Sequence, residues 1–170
     1  MKTILKVFGG LIGLLVVVIA VALFAARFTD GPLALIAGGP FASGTLVAEE
    51  PDWAFVKDYV TVEFQLEDPA RSRTTWIVEH NNRIFIPSGY MDTPWGKIWK
   101  QWPIQAEQDG RAILRVDGKL YQRQLVRIKD DPAMPVILSE LGRKYLGGLP
   151  APRSAVDSDS MWIFELAPRP

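Results

Sequence analysis

The run from Val7 to Ala26 constrains this chain before anything else does: twenty consecutive residues carry no charged or strongly polar side chain. At about 1.5 Å rise per residue, a helix of that length crosses the ~30 Å hydrocarbon core of a bilayer. A helix is required there, because backbone groups in lipid find hydrogen-bond partners only within their own segment. Lys2 and Lys6 precede the run, and Arg27 and Asp30 follow it. Basic flanks favour the cytoplasmic side. The two lysines therefore predict an inside N-terminus, a single pass through a bacterial inner membrane, and a body in the periplasm. Ala20-Val21-Ala22 also fits the small-x-small pattern of a signal-peptide cleavage site. The apolar run continues through Leu23 and Phe24, longer than a signal core, so residues 1–27 read as an anchor holding the membrane through residues 7–26. Gly9 and Gly13 form a GxxxG pair, a spacing that lets two helices approach and also arises by chance in a Gly-rich span.

Residues 28–170 leave enough chain for one core. Lys and Arg number 19, as do Asp and Glu; without Lys2, Lys6 and Arg27 the basic count falls to 16. A nucleic-acid partner wants a concentrated positive face, which a slightly acidic body does not offer. Cysteine is absent, which excludes disulfides, thiolate metal sites and Cys nucleophiles. His80 is the one histidine, and the carboxylates are scattered, so neither a metal site nor a catalytic residue emerges.

Residues 28–52, rich in Gly, Pro and Ala, read as an irregular lead-in that packs on the domain through Leu33, Leu35, Ile36, Phe41 and Leu46. From Val60 the hydrophobic period becomes two. Val60, Val62, Phe64 and Leu66 alternate with Thr61, Glu63 and Gln65, a strand with one buried face. Further β-rich runs cover 74–79, 83–87, 104–108, 111–116, 119–128 and 161–166. Asn81-Asn82, Asp109-Gly110 and Asp117-Gly118 are turn pairs tolerant of positive φ, and the two Asp-Gly pairs predict a three-stranded meander. Thr93-Pro94 opens a helix carrying Trp95, Ile98, Trp99 and Trp102 at helical spacing, with Pro103 as its stop. A second helix is predicted from about Pro135 to Leu146, closed by Gly147-Gly148. Residues 53–170 therefore read as a mainly β domain with inserted helices: a six- to seven-stranded antiparallel split β-barrel, whose closure removes exposed edges.

Four features bear on chemistry. Arg71-Ser72-Arg73-Thr74-Thr75, placed between two predicted strands, offers guanidiniums and hydroxyls suited to a phosphate. The competing reading is a solvated turn. Pro87-Ser88-Gly89-Tyr90 ends a strand where backbone could approach a planar ligand. The tryptophan stripe, with Lys97 and Lys100, either flanks an anionic ring system or simply faces the core. Arg111 and Arg115 share one face of the meander while Arg123 and Arg127 share the other, so the four cannot converge without a bulge. His80 beside its turn reads as structural.

The order VTVEFQL-EDPARSRTTWIVEHNNRIFIPSG, then WGKIWKQW, then DGRAILRVDGKLYQRQLVRI and a helix ending RKY resembles the split-barrel flavin-binding superfamily of pyridoxamine phosphate oxidases and deazaflavin-dependent reductases. The resemblance covers about Trp53 to Tyr145 and is nearest a membrane-anchored branch. It implies that Arg71, Ser72, Arg73 and Thr74 hold a cofactor phosphate, that Ser88 and Gly89 face the ring of FMN or a deazaflavin, and that Trp95 and Trp99 flank it. It further implies a redox role and a homodimer. Where the deazaflavin group carries Gly-Arg-Lys-Ser-Gly, this chain has Pro69-Ala70-Arg71-Ser72-Arg73. With a body outside the cytoplasm, that departure leaves an alternative: a cofactor-free accessory subunit of a larger membrane complex.

Overall fold

The computed structural model describes residues 2–169, without the side chains of residues 2, 3, 5, 95, 97 and 99. Helix α1, Lys2–Ala25, ends in a 3-10 turn at Ala26–Phe28. Lys6–Phe28 is long and apolar enough to cross a membrane.

Eight strands follow: β1 Thr45–Leu46, β2 Thr61–Glu67, β3 Ala70–Trp76, β4 Val78–His80, β5 Arg83–Gly89, β6 Arg111–Val116, β7 Lys119–Ile128 and β8 Met161–Pro168. One antiparallel sheet runs in the order β3-β2-β6-β7-β8-β5-β4, and β1 adds to the start of β7 in parallel. The expected closure does not occur, because β3 and β4 end the ladder without pairing. Only Ile77 separates them in the chain. Trp76 and Val78 therefore lie within about 7 Å of each other, and the sheet must curl until its outer strands meet. The covalent chain, rather than a hydrogen-bonded pair, crosses the seam of this split barrel.

Period-two patterning sets the two faces. Val62, Phe64, Leu66, Ile84, Ile86, Leu114 and Phe164 fill the barrel. Val78, Phe85 and Ile163 point outward beneath α4, Met134–Tyr145, whose Ile137, Leu138 and Leu141 cover them. Asn81 (φ 52°) and Asn82 (φ 59°) make the β4–β5 turn, and Asp117 (φ 50°) with Gly118 (φ 71°) makes the β6–β7 turn, both as expected. Gly147 and Gly148, at φ 71° and 95°, end α4, where the Gly148 N–H donates to Gly142 O at 2.9 Å.

Three local expectations are corrected. Residues 104–108 are not a strand: they belong to α3, Trp102–Gln108, which has a proline in its first turn. Pro103 thus starts a helix instead of stopping one, since a first-turn residue needs no intrahelical N–H donation. The tryptophan stripe is accordingly divided between α2, Pro94–Trp99, and α3. Ile98 is exposed while Trp102 is buried against Phe64 and Phe164. Arg71–Thr75 is not a turn either. The turn is Asp68-Pro69 alone, and pairing resumes at Glu67↔Ala70. Between α4 and β8 lies a short helix, α5, Arg153–Asp157.

Candidate ligand-binding cavity

On β3, register decides where each side chain goes. Arg71 pairs with Leu66 and Arg73 with Phe64, so both arginines share the face of core residues. Ser72 points the other way, buried, and donates to Gly39 O at 2.5 Å. The segment after α1 covers that outer face: the Gly38 N–H donates to Ser72 O at 3.0 Å and the Phe41 N–H to the Gln65 side chain at 2.6 Å.

The core-side face of β3 meets the end of β5 across the seam, and a cavity of about 1100 Å³ opens there. Arg71, Arg73, Thr74 and Thr75 form one wall, and Pro87, Ser88, Gly89 and Tyr90 another. Leu23 and Arg27 of the α1 end, Leu35, Lys100 and Trp102 complete much of the rest. Five residues singled out from sequence therefore meet at one cavity: Arg71, Arg73, Thr74, Ser88 and Gly89. Ser72 does not join them. Trp95 and Trp99 lie outside the described side chains, and only their helical backbone is defined.

Gly89 leaves open space in front of its backbone, since a Cβ there would meet nothing within 4 Å. Tyr90 occupies the left-handed region (φ 63°). Its carbonyl accepts from the Thr93 hydroxyl at 2.9 Å and lies against Gly96, where any Cβ would collide with it. The turn is thus held by the residues that cap α2. Ser88 is buried and its hydroxyl approaches Met91 Sδ at 3.4 Å.

The electrostatics are one-sided. The Arg71 guanidinium donates to Ala37 O at 2.7 Å, while its buried Nε has no partner. Arg73 donates to Arg71 O at 3.1 Å. Among the described residues no carboxylate pairs with either. Burial, with Arg71 nearby, pushes the Arg73 guanidinium down to about 10. Burial and Arg27 lower Arg71, and burial lowers Lys100. An anion placed among these cations would relieve all three. Arg27, Tyr90, Lys100 and Trp102 were not among the site residues expected from sequence. Lys100 and Trp102 carried a signal there through the stripe, and Tyr90 through Pro87-Ser88-Gly89-Tyr90; Arg27 is distant from the rest along the chain.

The other arginines are spent on ion pairs. Arg115 bonds Glu63 and Asp30, each at 2.7 Å. Arg123 holds Glu50 at 3.0 and 2.8 Å. Arg127 bonds Glu107 at 2.8 Å and Asp159 at 2.6 Å. The ladders of β6, β7 and β8 run without a bulge, so the two faces stay separate. His80 ends β4 beside its turn, away from the cavity lining. No cluster able to hold a metal occurs among the described residues.

No family model and no curated protein matches this chain. Among solved structures, the conserved hypothetical protein Rv2991 from Mycobacterium tuberculosis aligns at 14% identity and a TM-score of 0.47, covering 77% of this chain and 86% of that one. A Listeria innocua protein provisionally assigned as a pyridoxamine 5'-phosphate oxidase aligns at 10% identity and a TM-score of 0.44, covering 69% and 90%.

Proposed function

We propose that this chain is a membrane-anchored split-barrel protein whose cavity holds a flavin-like cofactor, FMN or a deazaflavin, in the service of a redox reaction. The observation that carries the reading is the pair Arg71 and Arg73, set in a cavity wall with no carboxylate on either among the described residues. Half-buried guanidiniums without an acid are costly, and a phosphate satisfies them with charge-assisted, two-pronged hydrogen bonds. The orphaned Arg71 Nε is a donor that such a group would use. Thr75, on the face of Arg71 and Arg73, adds a hydroxyl to the same wall. The open backbone at Gly89 suits a planar ring, and Trp102 and Tyr90 offer aromatic surface beside it. A volume near 1100 Å³ exceeds what a mononucleotide needs and leaves room for a second reactant.

When bound, such a cofactor supplies hydride transfer. The chain's own part is to anchor a phosphate, orient a ring and exclude water with Ile36 and Trp102. The α1 run and its lysine flank support an inner-membrane anchor with the domain on the periplasmic side, and homodimerisation belongs to the same reading. An open cavity beside Arg73 speaks against the cofactor-free accessory role.

Absorption spectroscopy of the detergent-purified full chain tests this. A flavin or deazaflavin band, present on purification or taken up from micromolar FMN or deazaflavin, is expected. Colourless protein that binds neither at high micromolar concentration overturns the reading in favour of the accessory subunit.

A further inference from the structure

The cavity and the anchor share residues. Leu23 lies within the apolar run of α1, and Arg27 is the first charge after it, yet both line the cavity with Arg71 and Arg73. Leu23 sits four residues before Arg27, about 6 Å deeper along a helix. If α1 spans the bilayer, part of the cavity wall therefore begins at or below the level where the chain leaves hydrocarbon. Around the mouth, Leu35 is 90% exposed, Tyr90 72%, Leu146 42% and Trp76 41%, and all four line this same cavity. Single exposed apolar residues are ordinary, but a ring of them continuous with a membrane span is not. Trp and Tyr are the side chains that settle at the headgroup level. Besides the two phosphate-wall arginines, Arg27 and Lys100 line the cavity against one carboxylate, Asp92, a balance that complements anionic phospholipid.

We propose that Leu35, Trp76, Tyr90 and Leu146 form a bilayer-docking rim, which seats the domain on the phospholipid headgroups so that the cavity opens toward lipid and not toward bulk water. This rests on the membrane-anchor part of the function proposed above and is independent of which cofactor the cavity holds.

The chain has no cysteine, so single labels go where they are wanted. Full-length Leu35→Cys, Tyr90→Cys and Leu146→Cys carry a nitroxide in vesicles of phosphatidylglycerol and phosphatidylcholine. Glu49→Cys, exposed and outside the cavity lining, is the aqueous reference. Collision with oxygen, which concentrates in lipid, is compared with collision with a water-soluble nickel chelate. The expected result is a several-fold higher oxygen-to-nickel ratio at the three rim sites than at Glu49, in protein that resists alkaline carbonate extraction. Carbonate-resistant protein with rim labels as open to nickel as Glu49 overturns the docking and leaves the anchor standing. Release by carbonate overturns the anchor and the docking with it. Rim labels shielded from both reagents and broadened by spin–spin contact overturn lipid docking in favour of a second copy of this chain.

Discussion

The arginines of β3 and those of β6 and β7 lie on one sheet and have opposite surroundings. Arg115, Arg123 and Arg127 each meet at least one carboxylate within 3.0 Å. Arg71 and Arg73 meet none among the described residues and donate only to backbone carbonyls. The acids come from distant chain segments: Glu50 is 73 residues from Arg123, and Asp30 is 85 from Arg115. Residue type therefore does not separate a structural arginine from a ligand-binding one; what separates them is whether the topology delivers an acid. In the first set the charge is already neutralised within the fold. In the second a neutralising group must come from outside.

The largest effect that would break this comparison is on stability. Arg123 is 1% exposed, stacks over Trp53 at 4.8 Å and depends on Glu50 for its charge partner. Glu50 also accepts from the Trp53 indole N–H. Glu50→Ala strands a buried guanidinium and is expected to cost about 3–5 kcal/mol, read from the denaturant midpoint of the full chain in detergent. The apolar replacement Arg123→Met, which removes the buried charge and keeps bulk, should cost clearly less. Equal losses would mean that packing, not pairing, matters there.

Arg73→Ala comes next and should behave in the opposite way. It removes a cation that nothing in the fold neutralises, so stability should hold or rise. Affinity for FMN, or for the deazaflavin if that is what binds, should fall about 10- to 100-fold, the worth of one charge-assisted hydrogen bond at roughly 1.5–3 kcal/mol. Fluorescence titration of the flavin measures it. Unchanged affinity would detach the phosphate from this wall.

The same wall predicts a pH window for binding. A phosphate monoester gains its second negative charge near pH 6, so affinity should climb as pH rises through that value. Arg73 loses its proton at about 10 in the free protein. A bound anion stabilises the protonated form, so the complex binds more protons than the free protein above that pH. By linkage, affinity then declines as pH rises past about 10. In Arg73→Ala the upper limb should flatten, which titrations on both sides of the window would show.

Much of the fold was legible because it is local. Asn81-Asn82 and Asp117-Gly118 announce their turns through positive φ, and Phe64 and Leu66 announce a buried face by alternation. Residues 104–108 misled because an apolar-polar run of five suits either element, and tertiary packing of Trp102 on Phe64 and Phe164 decided for helix. The open seam was hidden, since closure depends on whether the outer strands pair and not on any one strand. Within the site, Arg71, Arg73, Ser88 and Gly89 were legible by residue type. The inversion of Ser72 was not, because it turns on whether pairing resumes one residue or several after Pro69. Arg27 was invisible for the reason Glu50 was: only the folded topology brings it there.

The smallest effect sharpens the comparison at its weak end. Arg111 sits on the same strand as Arg115 and pairs with Asp109 at 2.6 Å, two residues away and in solvent. Asp109 holds its proton only below the usual carboxylate range, near 2, because the Arg111 side chain and backbone N–H both donate to it. A pair made so locally persists in much of the unfolded chain as well, and water screens it in both states. Arg111→Ala should therefore move neither the denaturant midpoint nor cofactor affinity beyond error at neutral pH. A clear loss of stability would show that an acid two residues away counts as much as one delivered across the sheet. The contrast between the two arginine sets would then lie in the distance to a carboxylate alone, and not in the burial that makes its absence costly.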